Sequence, residues 1–464
     1  MEQIILGIDI GSSKICSLIA DVRDGSPRIL GVGLAQSNGI QKGSIKAIDS
    51  ASKAVKESID AAKRMAGIEV NKAYISLSGI STNSTNISEV VTLQANCEIG
   101  SKEINRIMQQ AAFNAPRSVI PQNYELVHIL PYSFKLDNRE FIDDPFGMVG
   151  SRLDMCARVV YAHKSDLANL KKVVQNAGVE VAGIVLNAYA SSIATLNDDE
   201  KELGVCCIDM GSDSCNFMVH RGNSMQYDDF VHAGSWNVTN DIATVLNTTL
   251  TVAELIKIEF AKLDELTQED LEFTLTNVPT RSGEDRQIKY EVFHGIVSAR
   301  VLDILNRIES SLIQSEYKKV LGAGVVITGG MSCMKGLKTM AQAVFGDVSV
   351  RIAEPKRLND SFDILKDSTI QEKGIPYASF ATAIGLILYA SGRFTNYELD
   401  SAGKMQYKQN LQSNTKVNSP DIKEKVNLED IITKEEREKV DAITLDDGRK
   451  SVWEKCMNWL RNLF

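Results

Sequence analysis

Residues 5–12 read Ile5-Leu6-Gly7-Ile8-Asp9-Ile10-Gly11-Ser12, and two hundred positions on, Cys206-Cys207-Ile208-Asp209-Met210-Gly211-Ser212 repeats the pattern. Each copy is an unbroken apolar run, as expected of a strand covered on both faces. After the first copy, residues 15–21 and 28–36 read as two more strands; after the second, residues 216–220 and 224–231 do the same. Helices follow. Ile48, Ala51, Val55, Ile59, Ala62 and Met65 recur at helical spacing, with Gly67 placed to end the helix. One strand–turn–strand unit used twice implies two related α/β lobes. A third glycine signal completes the set: a strand over 325–328, then Gly329-Gly330, then a helix over 336–345.

The turn after each Asp aims backbone N–H groups at whatever lies beyond it, which suits phosphate oxygens. The carboxylate itself suits the water shell of Mg²⁺, an ion that keeps several waters and takes few protein carboxylates directly. Two such hairpins facing each other, at Asp9 and Asp209, would clamp a nucleotide's phosphates from both sides. A single Asp-x-Gly would read as an ordinary turn.

Composition bounds the alternatives. The 464 residues suggest roughly three folding units at about 150 each. With 44% apolar and 24% charged residues the chain is not wholly disordered. Its net charge of −9 argues against nucleic acid as a main partner. The eight Cys include no CxxC pair or Cys/His cluster at metal spacing, and none of the five His has a spacing partner for a metal or a triad. With no signal peptide at Met1, a reducing cytoplasmic compartment is expected. The best apolar stretch, residues 378–390, is too short to span a bilayer and reads as a buried core helix.

At these residues the chain resembles the actin and sugar-kinase ATPase superfamily, and within it the FtsA family of bacterial cell-division proteins. The specific pieces are Gly7-Ile8-Asp9-Ile10-Gly11-Ser12-Ser13-Lys14, the stretch from Glu202 to Gly211, the stretch from Thr251 to Glu259, and Ile327-Thr328-Gly329-Gly330. The resemblance implies an actin-like fold of two α/β lobes with ATP between them. It makes Gly11, Ser12, Ser13 and Lys14 the first phosphate loop, with Asp9 and Asp209 positioning Mg²⁺ and water. Gly211, Ser212 and Asp213 become the second loop, but here the chain departs from the family's two or three glycines followed by Thr and Asp. Serine restricts φ where glycine would not, and Asp213 brings a negative charge towards the phosphates. A looser hold on phosphate is expected.

Gly329, Gly330 and Met331 match the adenosine motif, and Glu254 and Lys257 match a pair that contacts the nucleoside. Read from the residues alone, Thr251-x-x-Glu254 is also a capping box, and Lys257 a solvated position. Actin-like ATPases usually place Gln or Glu after the strand that ends near Leu186. Asn187 is the nearest polar candidate here, and its amide orients water but is no strong base. An ATP-binding switch with weak or absent hydrolysis is expected.

The resemblance also implies an organisation. Residues 1–81 and 162–199 belong to subdomain 1A, with 82–161 inserted as the relocated subdomain 1C, which contacts a neighbouring subunit and later division proteins. Residues 200–243 and 320–360 form subdomain 2A, 244–319 form 2B, and 361–395 supply the closing helix of 1A. In the family the second lobe receives the C-terminal peptide of FtsZ. Arg300 and Arg307, two turns apart on one helix face, could pair with an acidic peptide or form a solvated basic stripe.

Composition changes near the end. From 421 to 450, 17 of 30 residues are charged and none is aromatic, so 396–450 reads as a disordered linker. Residues 451–464 turn apolar again. At helical spacing Trp453, Cys456, Met457, Leu460, Leu463 and Phe464 share one face, with Trp459 near its edge. Arg449, Lys450, Lys455 and Arg461 lie around it. The expectation is an amphipathic helix on an anionic membrane, on a tether of about 40 Å reach. Stable attachment would draw on filament avidity. A membrane-tethering division protein is thus the leading reading; a pilus-assembly scaffold, a metabolite kinase of the same fold and a chaperone ATPase are the alternatives.

Overall fold

Both copies of the repeated unit fold into five-stranded sheets of one plan. The computed structural model describes residues 4–23, 26–222, 224–366, 375–392 and 397–407. In the first lobe β1 (Ile4–Ile10), β2 (Lys14–Asp21) and β3 (Arg28–Gln36) form an antiparallel meander. A short ladder of β4 (Ile40–Gln41) with β5 (Ser44–Ile45) leads into helix α1 (Ile48–Ala66) and then β6 (Lys72–Leu77). The chain next departs into an insertion: β7 (Thr82–Glu98), α2 (Ser101–Ser118), β8 (Tyr124–Leu136), β9 (Arg139–Ile142) and β10 (Val149–His163). It returns through α3 (Lys164–Asn176) to β11 (Glu180–Leu186) and α4 (Asn187–Thr195).

After the short helix α5 (Asp198–Leu203), the second lobe repeats the meander as β12 (Val205–Met210), β13 (Cys215–Arg221) and β14 (Ser224–Val231). Helices α6 (Ser235–Val245), α7 (Leu250–Phe260) and α8 (Gln268–Glu272) follow, then the hairpin β15 (Thr274–Pro279) with β16 (Asp285–Lys289), and the long α9 (Tyr290–Gln314). β17 (Gly324–Thr328), α10 (Leu337–Phe345) and β18 (Val350–Ile352) complete it. The sheet orders are β3-β2-β1-β6-β11 and β14-β13-β12-β17-β18. In each, a meander is extended by two parallel strands.

Sequence explains the layers. On α1, Ala51, Ala54, Val55, Ser58, Ile59 and Ala62 are buried on one face, and Gly67 ends the helix in the left-handed region at φ 65°. The helix lies flat on β3 because a Cβ at Gly33 would sit 1.8 Å from the Ser58 carbonyl. The apolar run expected to be a core helix is one: α11 (Ala381–Ala390) is buried along nearly its whole length. It crosses α4 at Gly385, where a Cβ would meet the Ala190 carbonyl at 1.9 Å.

The insertion builds its own sheet under α2, whose Ile104, Ile107, Met108, Ala111 and Ala115 are buried. Two strands from beyond the second lobe join that sheet: β19 (Tyr397–Leu399) pairs with β8, and β20 (Met405–Tyr407) pairs with β19. The linker expected from residue 396 therefore begins with ordered strands. They are ordered because β8 offers an unpaired edge. The rest of the expected linker and the helix at 451–464 lie outside the described residues.

Candidate functional site

Each strand that carries an Asp at its second-to-last position turns back through four residues. Ile10 pairs with Ile15 and Met210 with Cys215, so Gly11-Ser12-Ser13-Lys14 and Gly211-Ser212-Asp213-Ser214 are equivalent turns. A Cβ at Gly11 would lie 2.8 Å from the Lys14 carbonyl, and one at Gly211 would lie 2.9 Å from that of Ser214. Both turns therefore exclude a side chain at their first position.

Between the lobes Asp9 is buried and Asp209 half-buried, and both are held by groups the sequence pattern did not single out. Ser76 Oγ, from β6, donates to Asp9 Oδ1 at 3.0 Å and accepts from the Ile10 N–H at 2.8 Å. Ser191 Oγ on α4 and Thr382 Oγ1 on α11 both donate to Asp209 Oδ2, the latter at 3.0 Å. Burial pushes the Asp9 carboxyl up to about 6; Lys14 pulls it down and the charge of Asp209 raises it further. Burial raises Asp209 too, against its hydrogen bonds from Ser191 and Thr382 and the charge of Lys14. Two acids, Asp9 raised by the charge of Asp209, with one lysine acting on both, make a site rich in carboxylate. A divalent cation would offset their charge. Among the described residues no group of three or more His, Cys, Asp or Glu is placed to hold a metal, so Asp9 and Asp209 would hold such an ion mainly through its water.

Lys14 Nζ donates to the Ser379 carbonyl at 2.7 Å and lies 5.5 Å from the centre of the Phe380 ring, tying the first turn to the segment before α11. β17 runs beside β12 with Thr328 opposite Asp209. At Gly329 (φ 90°) a Cβ would sit 2.4 Å from Asp209 Oδ1, so only glycine passes the carboxylate there. Gly330 comes next to Ser379. The Met331 side chain, matched to the adenosine motif, is buried in the second-lobe core.

Lys257 is turned inward, while the Glu254 carboxylate that pairs with it stays partly exposed. Lys257 Nζ, itself buried, donates to Glu254 Oε2 at 2.7 Å, to Thr239 Oγ1 at 2.9 Å and to the Ser235 carbonyl at 3.3 Å. Burial lowers the ammonium's pKa and Glu254 opposes that. This network joins α7 to α6. The capping box read at Thr251 and Glu254 is not formed; Thr249 caps α7 by accepting from the Val252 N–H at 3.3 Å, which frees Glu254 to reach Thr239.

Asn187 is the first residue of α4, one turn before Ser191. Its Oδ1 is buried without a hydrogen-bond partner. Such an orphan costs about 1–3 kcal/mol and is a feature of groups kept for a ligand or water. The two arginines on α9 are already engaged: Arg300 pairs with Asp241 and Asp303, and Arg307 with Asp303. Arg300 is partly buried by these pairs, while Arg307 remains exposed. Arg307 lines a groove of about 550 Å³ together with Asp303, Asn306 and Asp229.

Two lobes of one plan with paired Asp-glycine hairpins between them define an actin-like protein, and known proteins agree. The FtsA cell-division family matches residues 206–385, and the SHS2 domain inserted in FtsA matches residues 79–161. The chain is 35% identical to the cell division protein FtsA of Helicobacter pylori strain J99, over 88% of this chain and 85% of that protein. It is 27% identical to the FtsA of Escherichia coli K12, over 86% and 93%. The chain belongs to the FtsA family of cell division proteins. A solved PilM–PilN type IV pilus biogenesis complex shares the fold, with a TM-score of 0.59 at 16% identity, covering 83% of this chain and 98% of that one.

Proposed function

We propose that this chain binds ATP with Mg²⁺ between its lobes, polymerises on the inner face of the cytoplasmic membrane, tethers FtsZ filaments there through their C-terminal peptide and helps recruit later division proteins to the septum. The observation that carries the nucleotide reading is the pair of equivalent turns, each beside a carboxylate, Asp9 and Asp209, with Lys14 acting on both. Gly11 to Lys14 and Gly211 to Asp213 would cradle phosphates, and Gly329 and Gly330 would let the base approach backbone. The metal would neutralise phosphate charge; Asp9 and Asp209 would orient its water. Asn187, with a free amide oxygen and no basic group, fits slow or absent hydrolysis. No helix among the described residues is long and apolar enough to cross a membrane. Attachment would rest on residues 451–464, and the groove beside Arg307 is where the second lobe offers both charge signs to a peptide.

Calorimetry of the full chain with Mg·ATP tests the core of this reading. The parent protein should bind, and Gly11→Trp should not, because a side chain there would meet the Lys14 carbonyl at 2.8 Å and break the turn that would cradle phosphate. A folded Gly11→Trp protein with undiminished ATP affinity would place the nucleotide elsewhere. FtsZ should then pellet with anionic vesicles only when the ATP-loaded parent chain is added.

A further inference from the structure

The turn between β4 and β5 lies across both phosphate loops. Lys42 and Gly43 take successive left-handed conformations, at φ 50° and 67°. Their consecutive N–H groups then go to different lobes: Lys42 N–H donates to Asp213 Oδ2 at 2.6 Å, and Gly43 N–H donates to Ser12 Oγ at 3.1 Å. Ser212 Oγ adds a longer bond to the other Asp213 oxygen at 3.3 Å. The turn is fixed from beneath, since a Cβ at Gly43 would come within 2.8 Å of Ser78 Oγ. A further bond, Gly79 N–H to Asn216 Oδ1 at 3.0 Å, joins the lobes just behind.

The Lys42 N–H, presented by a tight turn, is the kind of main-chain donor that anions take, while the Gly43 N–H goes to Ser12. In this chain the anion is supplied from within, by the residue that stands where the family pattern has glycine. Asp213 carries the same sign as a nucleotide's phosphates, uses the same kind of donor, and sits in the loop meant to receive them. We propose that Asp213 competes with the terminal phosphate of a nucleoside triphosphate for the Lys42 turn, and thereby sets both the affinity for nucleotide and the preference between triphosphate and shorter forms. A phosphate entering between the loops must displace a charged hydrogen-bond acceptor and approach its charge; adenosine, which has no phosphate, meets neither obstacle. Carboxylate and phosphate exchange one acceptor for another, and no bond is made or broken. The inference rests on the nucleotide reading of the cleft.

The experiment compares the full chain with Asp213→Asn and Asp213→Gly. Asparagine keeps an acceptor for Lys42 without the charge; glycine removes both. Calorimetry with ATP, ADP and adenosine at fixed Mg²⁺ should show ATP binding tightened by about tenfold in both variants, as for removal of a near like charge. The gain should be smaller for ADP and absent for adenosine. Without nucleotide, the Lys42 amide should exchange with solvent faster in Asp213→Gly than in the parent. ATP affinity that is unchanged or weaker in both variants, while the parent binds ATP, overturns the competitor role and leaves the nucleotide site standing. An equal gain for adenosine overturns it too, since that reports general loosening. A parent chain that binds no nucleotide at all overturns the reading of the cleft, and this inference with it.

Discussion

Asp9 shows how a single residue records function against stability. Its carboxyl is pushed from 3.8 up to about 6, chiefly by burial. Below about pH 4 the folded and unfolded chains both carry its proton, and nothing is lost. Between those values the folded state holds a proton that the unfolded state releases, so stability falls as pH rises; above about 6 the whole penalty is present. At 1.36 kcal/mol per unit this amounts to about 3 kcal/mol at pH 7. Asp9→Asn should therefore raise the melting temperature at pH 7.5, and the difference from the parent should shrink to nothing near pH 4. Thermal melts of both proteins across that range measure it; a constant difference would mean that Asp9 ionises freely in the fold. A cation bound beside Asp9 would offset that charge.

Among elements, β19 is held by a buried acid. Glu398 accepts from His128 Nδ1 at 2.7 Å, Tyr389 at 2.7 Å and Tyr189 at 3.0 Å, and the Leu186 N–H donates to the other nitrogen of His128 at 3.3 Å. Burial, then the charge of Glu398, push the Tyr389 phenol well above its ordinary range. Helices α4 and α11 each reach this carboxylate at one point and Asp209 at another, through Tyr189 and Ser191 and through Tyr389 and Thr382. Glu398→Ala would remove the buried acceptor that three donors share. The expected cost is about 3–5 kcal/mol, read from urea denaturation, with loss of amide protection over 397–399. Tyr389→Phe should cost about 1 kcal/mol. A Glu398→Ala protein as stable as the parent would make the network incidental.

For the whole molecule, the proposed tether makes the sharpest test. One amphipathic helix binds lipid modestly, with each basic residue adding about 1 kcal/mol near an anionic surface. Deleting residues 451–464 should release the protein from anionic vesicles in a sedimentation assay without abolishing ATP binding, and Trp453→Glu or Leu460→Glu should do nearly the same. Truncated protein that still pelleted with vesicles, with no partner present, would move the membrane contact to another surface.

Much of this was legible in one dimension. The repeated Asp-x-Gly-Ser hairpins, the apolar strand runs, the heptad-like face of α1 and the glycine after β17 are local patterns, dictated by strand burial, helical period and turn geometry over a few residues. They determined the two-lobed fold and put Asp9, Gly11, Asp209, Gly211 and Gly329 at the cleft. The partners of those residues come from far along the chain: Ser76, Ser191 and Thr382 are serines and threonines with no local signature, and Lys42 meets Asp213 across 171 positions. Tertiary structure also turned Met331 into the core, locked Lys257 between two helices and gave Arg300 to Asp241. Strand β19 is three residues long, too short for a period to show, and becomes a strand only because β8 leaves an edge for it. A sequence carries its own periodicities and turns, but which donor meets which buried charge is fixed only when distant segments are packed and every polar group must find a partner.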